Sequence, residues 1–453
     1  MTEEMLNNIL EWCFKNTNIL QAEDIENMGK GFIHFASENG YAPVVAKLLT
    51  KGIEVNLKDK LQETPLHLAS EKRQIEVVEL LLQNGAEVDC QSDMKNTPLH
   101  MASSCGYKEV VELLIKNGAN VNQHAAGMEL TPLHMASRFG HKEVVELLIK
   151  NGANVNQLDN GKFTSLHYAS LEGHLDIVKL LIDSGAQINI GEGLTKSSSG
   201  VSQIRNENTA LMFASAYGHE KVVKLLMENG ADVNRSNSGG TTPLHHSAEK
   251  RHYRIAKMLL ENGAKVNSQI DKSKSTPLHF ASANGSLEIV ELLIQNGANV
   301  NCTNFKNNTP LHYACENGHL EITKILLKNS ICLTQKNKDG KTALQIAKDK
   351  NQKKIYRMIY EKMVNTLSTS ETQIENVEEH REIKRMIFDK FEFEYSPEQK
   401  NCIVCYESRN GTFVLQPCGH AKTCETCSLK IVEETKICPM CRGQVTKYQK
   451  IFD

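Results

Sequence analysis

Apolar residues recur at helical spacing within a short unit, well seen in residues 95–122, KNTPLHMASSCGYKEVVELLIKNGANVN. Thr97 can cap a helix, and Pro98 suits the first helical position because its missing N–H would have no partner there. Two helices are predicted from the apolar positions, which are Leu99, Met101 and Ala102 in the first helix and Val110, Val111, Leu113, Leu114 and Ile115 in the second. Gly118 supplies a left-handed residue that ends the second helix. The unit is therefore predicted to be helix, turn, helix, loop.

The same unit recurs along the chain. The motif TPLH begins at Thr64, Thr97, Thr131, Thr242, Thr276 and Thr309. Weaker copies begin at Gly31, Thr164, Thr209 and Thr342, which makes ten starts. Successive starts are 33 or 34 residues apart, except for one step of 45 residues. One such unit cannot bury both of its faces, so the units must be stabilised by stacking on their neighbours.

The period and the motif closely resemble the ankyrin repeat over residues 28–365. The resemblance implies a mainly α fold, an elongated ankyrin-repeat solenoid of about ten repeats with a concave side. Residues 1–27, which include the apolar stretch MLNNILEWCF, are expected to form an N-terminal helical cap on the first repeat. Arrays of this kind usually bind other proteins, so a protein substrate or partner is expected at the repeats.

Composition narrows the choice of partners and compartment. Lys and Arg number 52 against 54 Asp and Glu, so no strong overall field favours nucleic acid or an anionic membrane. No signal peptide and no run of 18 apolar residues is found, which predicts no membrane insertion. Six of the 13 cysteines are scattered, as expected of reduced buried thiols. We expect a cytoplasmic protein, or one that is also nuclear.

Histidine at the fourth motif position is predicted to be structural. Eight of the 17 histidines occupy this position: His34, His67, His100, His134, His167, His245, His279 and His312. In ankyrin repeats this side chain ties loop backbone together by hydrogen bonds. No carboxylate or cysteine recurs beside it, as a metal site or a nucleophile would require. The repeats are therefore predicted to be noncatalytic.

A patch between the fourth and sixth motif starts is the candidate substrate-binding surface. In ankyrin proteins, contacts come mainly from the tips of the loops and from exposed positions of the first helix. Here those positions carry an apolar and Arg-bearing set, which is typical of binding hot spots: Met128, Leu130, Arg138, Phe139, Phe163, Leu171 and Tyr217. The alternative is that some of these side chains lie in the core between repeats.

The 45-residue step adds roughly twelve residues, within IGEGLTKSSSGVSQIRNE, between Ile190 and Glu207. Its Gly and Ser content predicts a loop beside the candidate patch. Such a loop could close over a ligand, or it could be an inert insertion.

Seven cysteines and one histidine cluster between residues 402 and 441 at metal-ligand spacing. The predicted ligands are Cys402, Cys405, Cys418, His420, Cys424, Cys427, Cys438 and Cys441. Cysteines two residues apart let a tight turn aim both sulfurs at one ion, and eight ligands suffice for two tetrahedral zinc ions. The order of three cysteines, a histidine and four cysteines resembles the RING finger. That resemblance implies interleaved sites, with the first and third pairs on one zinc and the second and fourth pairs on the other.

The RING resemblance implies a ubiquitin ligase. In RING ligases a shallow apolar groove, matched here by Val404, Ile431 and Pro439, receives the ubiquitin-conjugating enzyme, and Arg442 matches the arginine that bridges this enzyme and ubiquitin. Many RINGs have tryptophan where this chain has Ile431, so the choice of conjugating enzyme stays open. The implied enzyme is a RING-type E3 ubiquitin transferase that positions the charged conjugating enzyme and carries no ubiquitin itself. The alternative is a noncatalytic scaffold or inhibitor whose RING serves assembly or self-turnover.

Two further segments complete the predicted organisation. Residues 366–400 are expected to be a linker with a helix, and residues 401–453 the RING finger with a dimerisation tail. The tail has Lys, Ile and Phe at the same distance from the last cysteine as the RINGs of inhibitor-of-apoptosis proteins. That resemblance implies a homodimer formed through Val445, Ile451 and Phe452. The architecture also resembles ligases of the mind bomb type, without a counterpart of their further N-terminal modules.

Overall fold

The computed structural model describes residues 2–5, 7–8, 11, 31–191, 208–369, 412–416, 420–423 and 447–451. The chain divides into two compact units, Met1–Pro277 and Leu278–Asp453. Repeats are numbered here 1 to 10 by their motif starts, and the loop that precedes each motif takes the number of its repeat.

Each repeat contributes two helices. The first helices are residues 31–38, Pro65–Glu71, Pro98–Cys105, Pro132–Phe139, Ser165–Glu172, Ala210–Tyr217, Pro243–Glu249, Pro277–Asn284, Pro310–Asn317 and Ala343–Asp349. The second helices are Ala42–Thr50, Ile75–Gln83, Lys108–Lys116, Lys142–Lys150, Leu175–Asp183, Glu220–Glu228, Tyr253–Glu261, Leu287–Gln295, Leu320–Lys328 and Lys353–Thr369. The predicted mainly α class is confirmed, and the last helix runs past residue 365.

The TPLH motif starts a helix, with its threonine as the capping residue that the sequence predicts. In repeat 3, Thr97 is extended (φ −98°) just before the helix, and its backbone N–H donates to Nδ1 of His100 at 3.1 Å. This interaction satisfies a donor that no helical carbonyl could reach. The helix ends at Gly106, whose φ of 77° lies in the left-handed region.

The core is formed by stacked repeats. In repeat 3, Leu99, Val110, Val111 and Leu114 are fully buried. The first helix of this repeat contacts the first helices of repeats 2 and 4, so each repeat covers apolar surface of its neighbours. Burying a side chain such as Leu114 contributes roughly 1.5–3 kcal/mol relative to exposure. An isolated repeat would lose much of this contribution.

The N-terminal segment contacts the first repeat. Residues 3–5, 7–8 and 11 are helical. Nζ of Lys47, on the second helix of repeat 1, lies 3.0 Å from Oδ1 of Asn7 and 3.1 Å from Oε1 of Glu11. The remainder of the predicted cap lies outside the described residues.

Repeats 5 and 6 flank the insertion, most of which (192–207) lies outside the described residues. Nε2 of His219 binds the carbonyl oxygen of Leu171 at 2.9 Å across this junction. His174 makes the equivalent contact to the carbonyl oxygen of Arg138 at 3.0 Å, where no insertion occurs. The insertion therefore leaves the contact between neighbouring repeats unchanged.

Three short strands form an antiparallel sheet in the C-terminal region: β1 (Thr412–Gln416), β2 (His420–Thr423) and β3 (Lys447–Ile451). Their order is β2-β1-β3. Leu415 of β1 lies opposite His420 of β2, and Thr412 lies opposite Ile451 of β3. The predicted linker beyond Thr369 lies outside the described residues.

Candidate functional site

Three large apolar side chains of the candidate patch are exposed. Met128 at the tip of loop 4, Phe139 at the end of the first helix of repeat 4 and Tyr217 at the end of the first helix of repeat 6 are 52%, 50% and 61% exposed. Exposed aromatic side chains bury much area on binding and lose little conformational entropy. These three residues can therefore take part in binding without any rearrangement of the core.

Arg138 is held between two aromatic rings beside the exposed residues. Its guanidinium carbon lies 5.7 Å from the centroid of Phe139 and 5.9 Å from that of Tyr168. The hydroxyl of Tyr168 donates to Oδ2 of the buried Asp159 at 2.6 Å. Burial raises the pKa of Tyr168, and the hydrogen bond to Asp159 raises it further, so the phenol stays neutral. Arg138 is thus positioned against a buried tyrosine whose own place is fixed by a hydrogen bond.

Phe163 and Leu171 are half-buried. The ring of Phe163 packs edge-on against Phe213 at 5.3 Å between centroids and lies 5.5 Å from His167. The carbonyl of Leu171 accepts the hydrogen bond from His219. Phe163 thus packs against neighbouring rings, and Leu171 contributes its backbone carbonyl to the junction with repeat 6.

Leu130, a predicted member of the patch, is not part of the exposed surface. Its side chain is only 6% exposed, and its carbonyl oxygen accepts from the backbone N–H of Ala125 at 2.9 Å and from Nε2 of His100 at 3.1 Å. The tight turn of loop 4 points this side chain inward while Met128, two residues earlier, points outward. Leu130 therefore belongs to the core between repeats, which was the alternative for part of the set.

Sequence reasoning missed two exposed residues that continue the patch. Leu61 and Met94 stand three residues before their motifs, as Met128 does, and they are 60% and 63% exposed. Neighbouring tips are joined by backbone hydrogen bonds to the carbonyl oxygens of Leu61 and Met94, at 2.9 and 2.7 Å. Three consecutive tips thus form an aliphatic row. The shared offset from TPLH was the signal that could have revealed it.

The motif histidines have the structural role predicted for them. In repeat 3, Nδ1 of His100 accepts from the backbone of Thr97, so Nε2 carries the proton that is donated to Leu130. Burial lowers the pKa of His100 and of His167 to about 4, although backbone hydrogen bonds raise it in part. Within the described part of the chain, no group of three His, Cys, Asp or Glu residues is arranged to hold a metal ion.

The predicted zinc ligands lie outside the described residues, apart from the backbone of His420, which begins β2. The same holds for Val404, Ile431 and Pro439, for Arg442, and for Val445 and Phe452 of the tail. Ile451 ends β3, and the backbone of this strand pairs with β1 of the same chain. A tail segment predicted to dimerise is thus hydrogen-bonded to its own RING region.

The described helices include none that is both long enough and apolar enough to span a bilayer.

Two families match the chain. The family described as ankyrin repeats (3 copies) matches residues 33–125, 121–192, 194–270, 240–304 and 278–370. The family described as zinc finger, C3HC4 type (RING finger), matches residues 398–448. A RING finger implies zinc binding, and seven thiols with one imidazole form a donor set that suits zinc.

Similar proteins include ubiquitin ligases. The chain is 40% identical over 60 residues to ORF106 of Ostreid herpesvirus 1 (isolate France), covering 13% of each chain. It is 38% identical over 52 residues to the E3 ubiquitin-protein ligase APD2 of Arabidopsis thaliana, covering 12% of each. It is 39% identical over 46 residues to the E3 ubiquitin-protein ligase NEURL3 of Rattus norvegicus, covering 10% of this chain and 18% of that protein. These matches span less than a fifth of each relative.

Among solved structures, the crystal structure of the human ASB11 ankyrin repeat domain is 27% identical, with a TM-score of 0.43. The match covers 48% of this chain and 92% of that chain. The family match to ankyrin repeats covers well over half of the chain and confirms the resemblance seen in the motif. The chain therefore belongs to the ankyrin-repeat family and carries a C3HC4-type RING finger at residues 398–448.

Proposed function

We propose that the protein is a RING-type E3 ubiquitin-protein ligase that recruits a protein substrate through its ankyrin repeats. The match of residues 398–448 to the C3HC4 RING finger carries this proposal. Two of the similar proteins named above are E3 ubiquitin-protein ligases, which supports it. The repeats supply a second module whose usual activity is protein binding.

Two zinc ions would hold the RING in shape. In the proposed arrangement Cys402, Cys405, Cys424 and Cys427 bind one ion, and Cys418, His420, Cys438 and Cys441 bind the other. Four-coordinate sites of this kind are structural, since no position is left for a substrate. All seven thiols of the module are then occupied, so none is left to carry ubiquitin as a thioester.

The proposed mechanism is positional. Val404, Ile431 and Pro439 form the apolar groove that binds the ubiquitin-conjugating enzyme. Arg442 contacts both that enzyme and its ubiquitin, and so holds the thioester in a compact, attack-ready position. Restricting the thioester in this way lowers the entropic part of the barrier to attack by a substrate lysine. Arg442 thus acts by positioning the thioester.

The substrate surface is proposed to combine Phe139, Tyr217 and Arg138 with the aliphatic row of Leu61, Met94 and Met128. It includes exposed apolar side chains and an arginine that lies against two aromatic rings. Such clusters of aromatic, Met and Arg side chains are typical of the central part of protein interfaces.

Homodimerisation through Val445, Ile451 and Phe452 is part of the proposal, and so is a cytoplasmic or nuclear location. The similarity of the tail to inhibitor-of-apoptosis RINGs supports the dimer. In that arrangement the aromatic residue of one subunit supports the ubiquitin held by the other.

A reconstituted transfer assay tests the ligase activity. Purified protein is mixed with ubiquitin, activating enzyme and a panel of charged conjugating enzymes, and discharge of the thioester to free lysine is measured. We expect discharge with at least one conjugating enzyme, and loss of discharge in Arg442→Ala with its zinc content unchanged. A panel without discharge would instead favour the noncatalytic scaffold or inhibitor.

A further inference from the structure

A basic surface with one exposed aromatic residue lies at the tips of loops 9 and 10, both within the second unit. The tip residues are exposed: Phe305, Lys306, Lys336, Lys338, Asp339 and Lys341. Four lysines thus stand beside a single aspartate, in a chain whose overall charge is −2. The tip of loop 3, by contrast, carries one residue of each sign, Asp93 and Lys95. Together the tips of loops 9 and 10 therefore carry more positive charge than the tip of loop 3.

Phe305 and Lys338 form one recognition element. The Phe305 side chain is 62% exposed, and the ammonium nitrogen of Lys338 lies 3.5 Å from the centroid of its ring. The cation attracts the electron-rich face of the ring, which holds both side chains in a defined position. The outer surface of the ring remains open to a partner, directly beside a positive charge.

The backbone under these side chains is fixed by two buried asparagines. Oδ1 of Asn304 accepts from the N–H of Lys306 at 2.9 Å, and Oδ1 of Asn337 accepts from the N–H of Asp339 at 3.0 Å. The N–H of Lys338 donates to the carbonyl oxygen of Lys306 at 2.9 Å, which joins the two tips. A surface held in this way loses little conformational entropy on binding.

Lys341 of this surface is paired within the chain. Nζ of Lys341 lies 2.7 Å from Oδ2 of Asp349, and the ion pair raises the pKa of Lys341. Lys306 and Lys338 supply the positive charge that faces a partner. These positive charges are complementary to carboxylates, and the exposed ring of Phe305 is complementary to an apolar side chain between them.

We propose that the tips of loops 9 and 10 bind an acidic peptide segment that carries an apolar side chain. Carboxylates of the peptide pair with Lys306 and Lys338, and its apolar side chain covers Phe305. A nucleic acid fits this surface less well, because Asp339 lies among the lysines and a single aromatic ring offers no stacking platform. This binding does not depend on ubiquitin transfer, and the two can therefore fail separately.

Fluorescence anisotropy with the full-length, zinc-loaded protein tests the proposal. The probe is a labelled peptide of Glu and Asp residues with one central Leu, about twelve residues long so that it can cross both tips when extended. We expect binding that weakens as NaCl rises from about 0.05 to about 0.5 M, since salt screens exposed charges. A peptide with Gln and Asn in place of the acidic residues should not bind. Equal binding of both peptides would overturn the proposal.

Two sets of variants locate the site. Lys306→Glu with Lys338→Glu should weaken binding at least about tenfold, whereas Lys60→Glu with Lys95→Glu, at the tips of loops 2 and 3, changes the net charge equally and should have no effect. Phe305→Ala should weaken binding of the Leu peptide but not of a peptide with Gly in place of Leu. Far-UV circular dichroism confirms the fold of each variant.

Equal weakening by both lysine pairs would mean unspecific attraction and would contradict the proposal. Tighter binding of a labelled oligothymidylate through the same lysines would contradict the proposal and show that this surface binds a nucleic acid.

Discussion

Asn189 and Asp232 lie 43 residues apart in the chain, yet Oδ1 of Asn189 accepts from the backbone N–H of Asp232 at 2.8 Å. The side-chain amide of Asn189 also donates to the carbonyl oxygen of Gly230 at 3.0 Å. Asn156 makes the same pair of bonds one repeat earlier, at 2.8 Å to Gln187 and 3.0 Å to Gly185, over a separation of only 31 residues to Gln187. The insertion lengthens the chain between these partners and leaves their geometry unchanged.

From this equivalence we predict that Asn189→Ala and Asn156→Ala destabilise the protein equally. Each variant loses two hydrogen bonds to backbone groups, which amounts to about 1–2 kcal/mol of unfolding free energy. Urea unfolding followed by circular dichroism measures both. A much smaller loss for Asn189→Ala would show that the junction at the insertion is weaker than the structure indicates.

Acid should destabilise the repeats through their buried histidines. The folded state holds His100 neutral with a pKa of about 4, against an ordinary value of 6.5, so the unfolded chain takes up a proton first as pH falls. The stability that this histidine contributes is complete above pH 6.5 and is lost between pH 6.5 and about 4. Each such histidine adds up to about 1.4 kcal/mol per pH unit within this window.

Repeat 10 offers a matched test of this pH dependence, because Gln345 replaces histidine there and Oε1 accepts from the N–H of Thr342 at 3.0 Å. His100→Gln should therefore give a shallower fall in melting temperature with pH, at some loss of stability at neutral pH from the missing bond to Leu130. Gln345→His should give a steeper fall. Unchanged slopes in both variants would contradict the assignment.

Phe139→Ala combined with Tyr217→Ala should reduce modification of the substrate while self-modification continues. Both side chains are exposed, so truncating them should change the melting temperature little. Substrates are first identified by proximity labelling with Arg442→Ala, which should bind them without transfer. Tyr253→Ala, another exposed tyrosine, serves as the control. Equal loss of both activities would mean that the patch is wrongly placed or that the variant misfolds.

Removing zinc should unfold the RING and spare the repeats. The predicted ligands lie between residues 402 and 441, whereas the helices of the repeats end at Thr369. Zinc can contribute on the order of 10 kcal/mol to the folding of such a small module. Circular dichroism during titration with a chelator should show almost all helical signal retained. Loss of most helicity would show that the repeats depend on the RING.

Phe452→Ala should abolish dimerisation and ligase activity while zinc content and binding of the conjugating enzyme persist. Light scattering on residues 380–453, together with the discharge assay, provides the measurement. The pairing of β3 with β1 allows a competing result, in which the tail stabilises only its own RING and the variant loses zinc or unfolds. A monomer with full activity would contradict the dimer.

Repeat positions could be predicted from the sequence because one motif carries several independent signals. Thr97, Pro98 and His100 each favour the same helix start, and the structure places all three as expected. At the loop tips, by contrast, no set of independent sequence signals indicates which side chain is buried. Leu130 and Met128 differ by two positions, and only the folded turn determines that the first is buried and the second exposed.

The missed residues have a related physical explanation. The only sequence signal for Leu61 and Met94 is their shared offset from the motif, and their alignment comes from backbone hydrogen bonds that join successive tips. The cation–π contact of Lys338 with Phe305 likewise joins residues 33 positions apart on different loops. Such surfaces depend on the stacking geometry, whereas zinc ligands can be predicted from spacing because thiol chemistry restricts their arrangement.

The contact of His174 with repeat 4 has a consequence for how such a chain can change in length. A β-carbon on Gly140 would lie 2.8 Å from Cε1 of His174, so the glycine of one repeat and the histidine of the next must be present together. Gly218 and His252 repeat the arrangement, at 2.7 Å. A duplication or deletion of one whole unit preserves such a pair only where the new neighbours carry the glycine and the histidine, and repeats 2 and 7 have Arg73 and Arg251 in place of the glycine. At the junctions that carry both residues, evolution or an engineer can therefore add or remove one repeat without redesigning the contact.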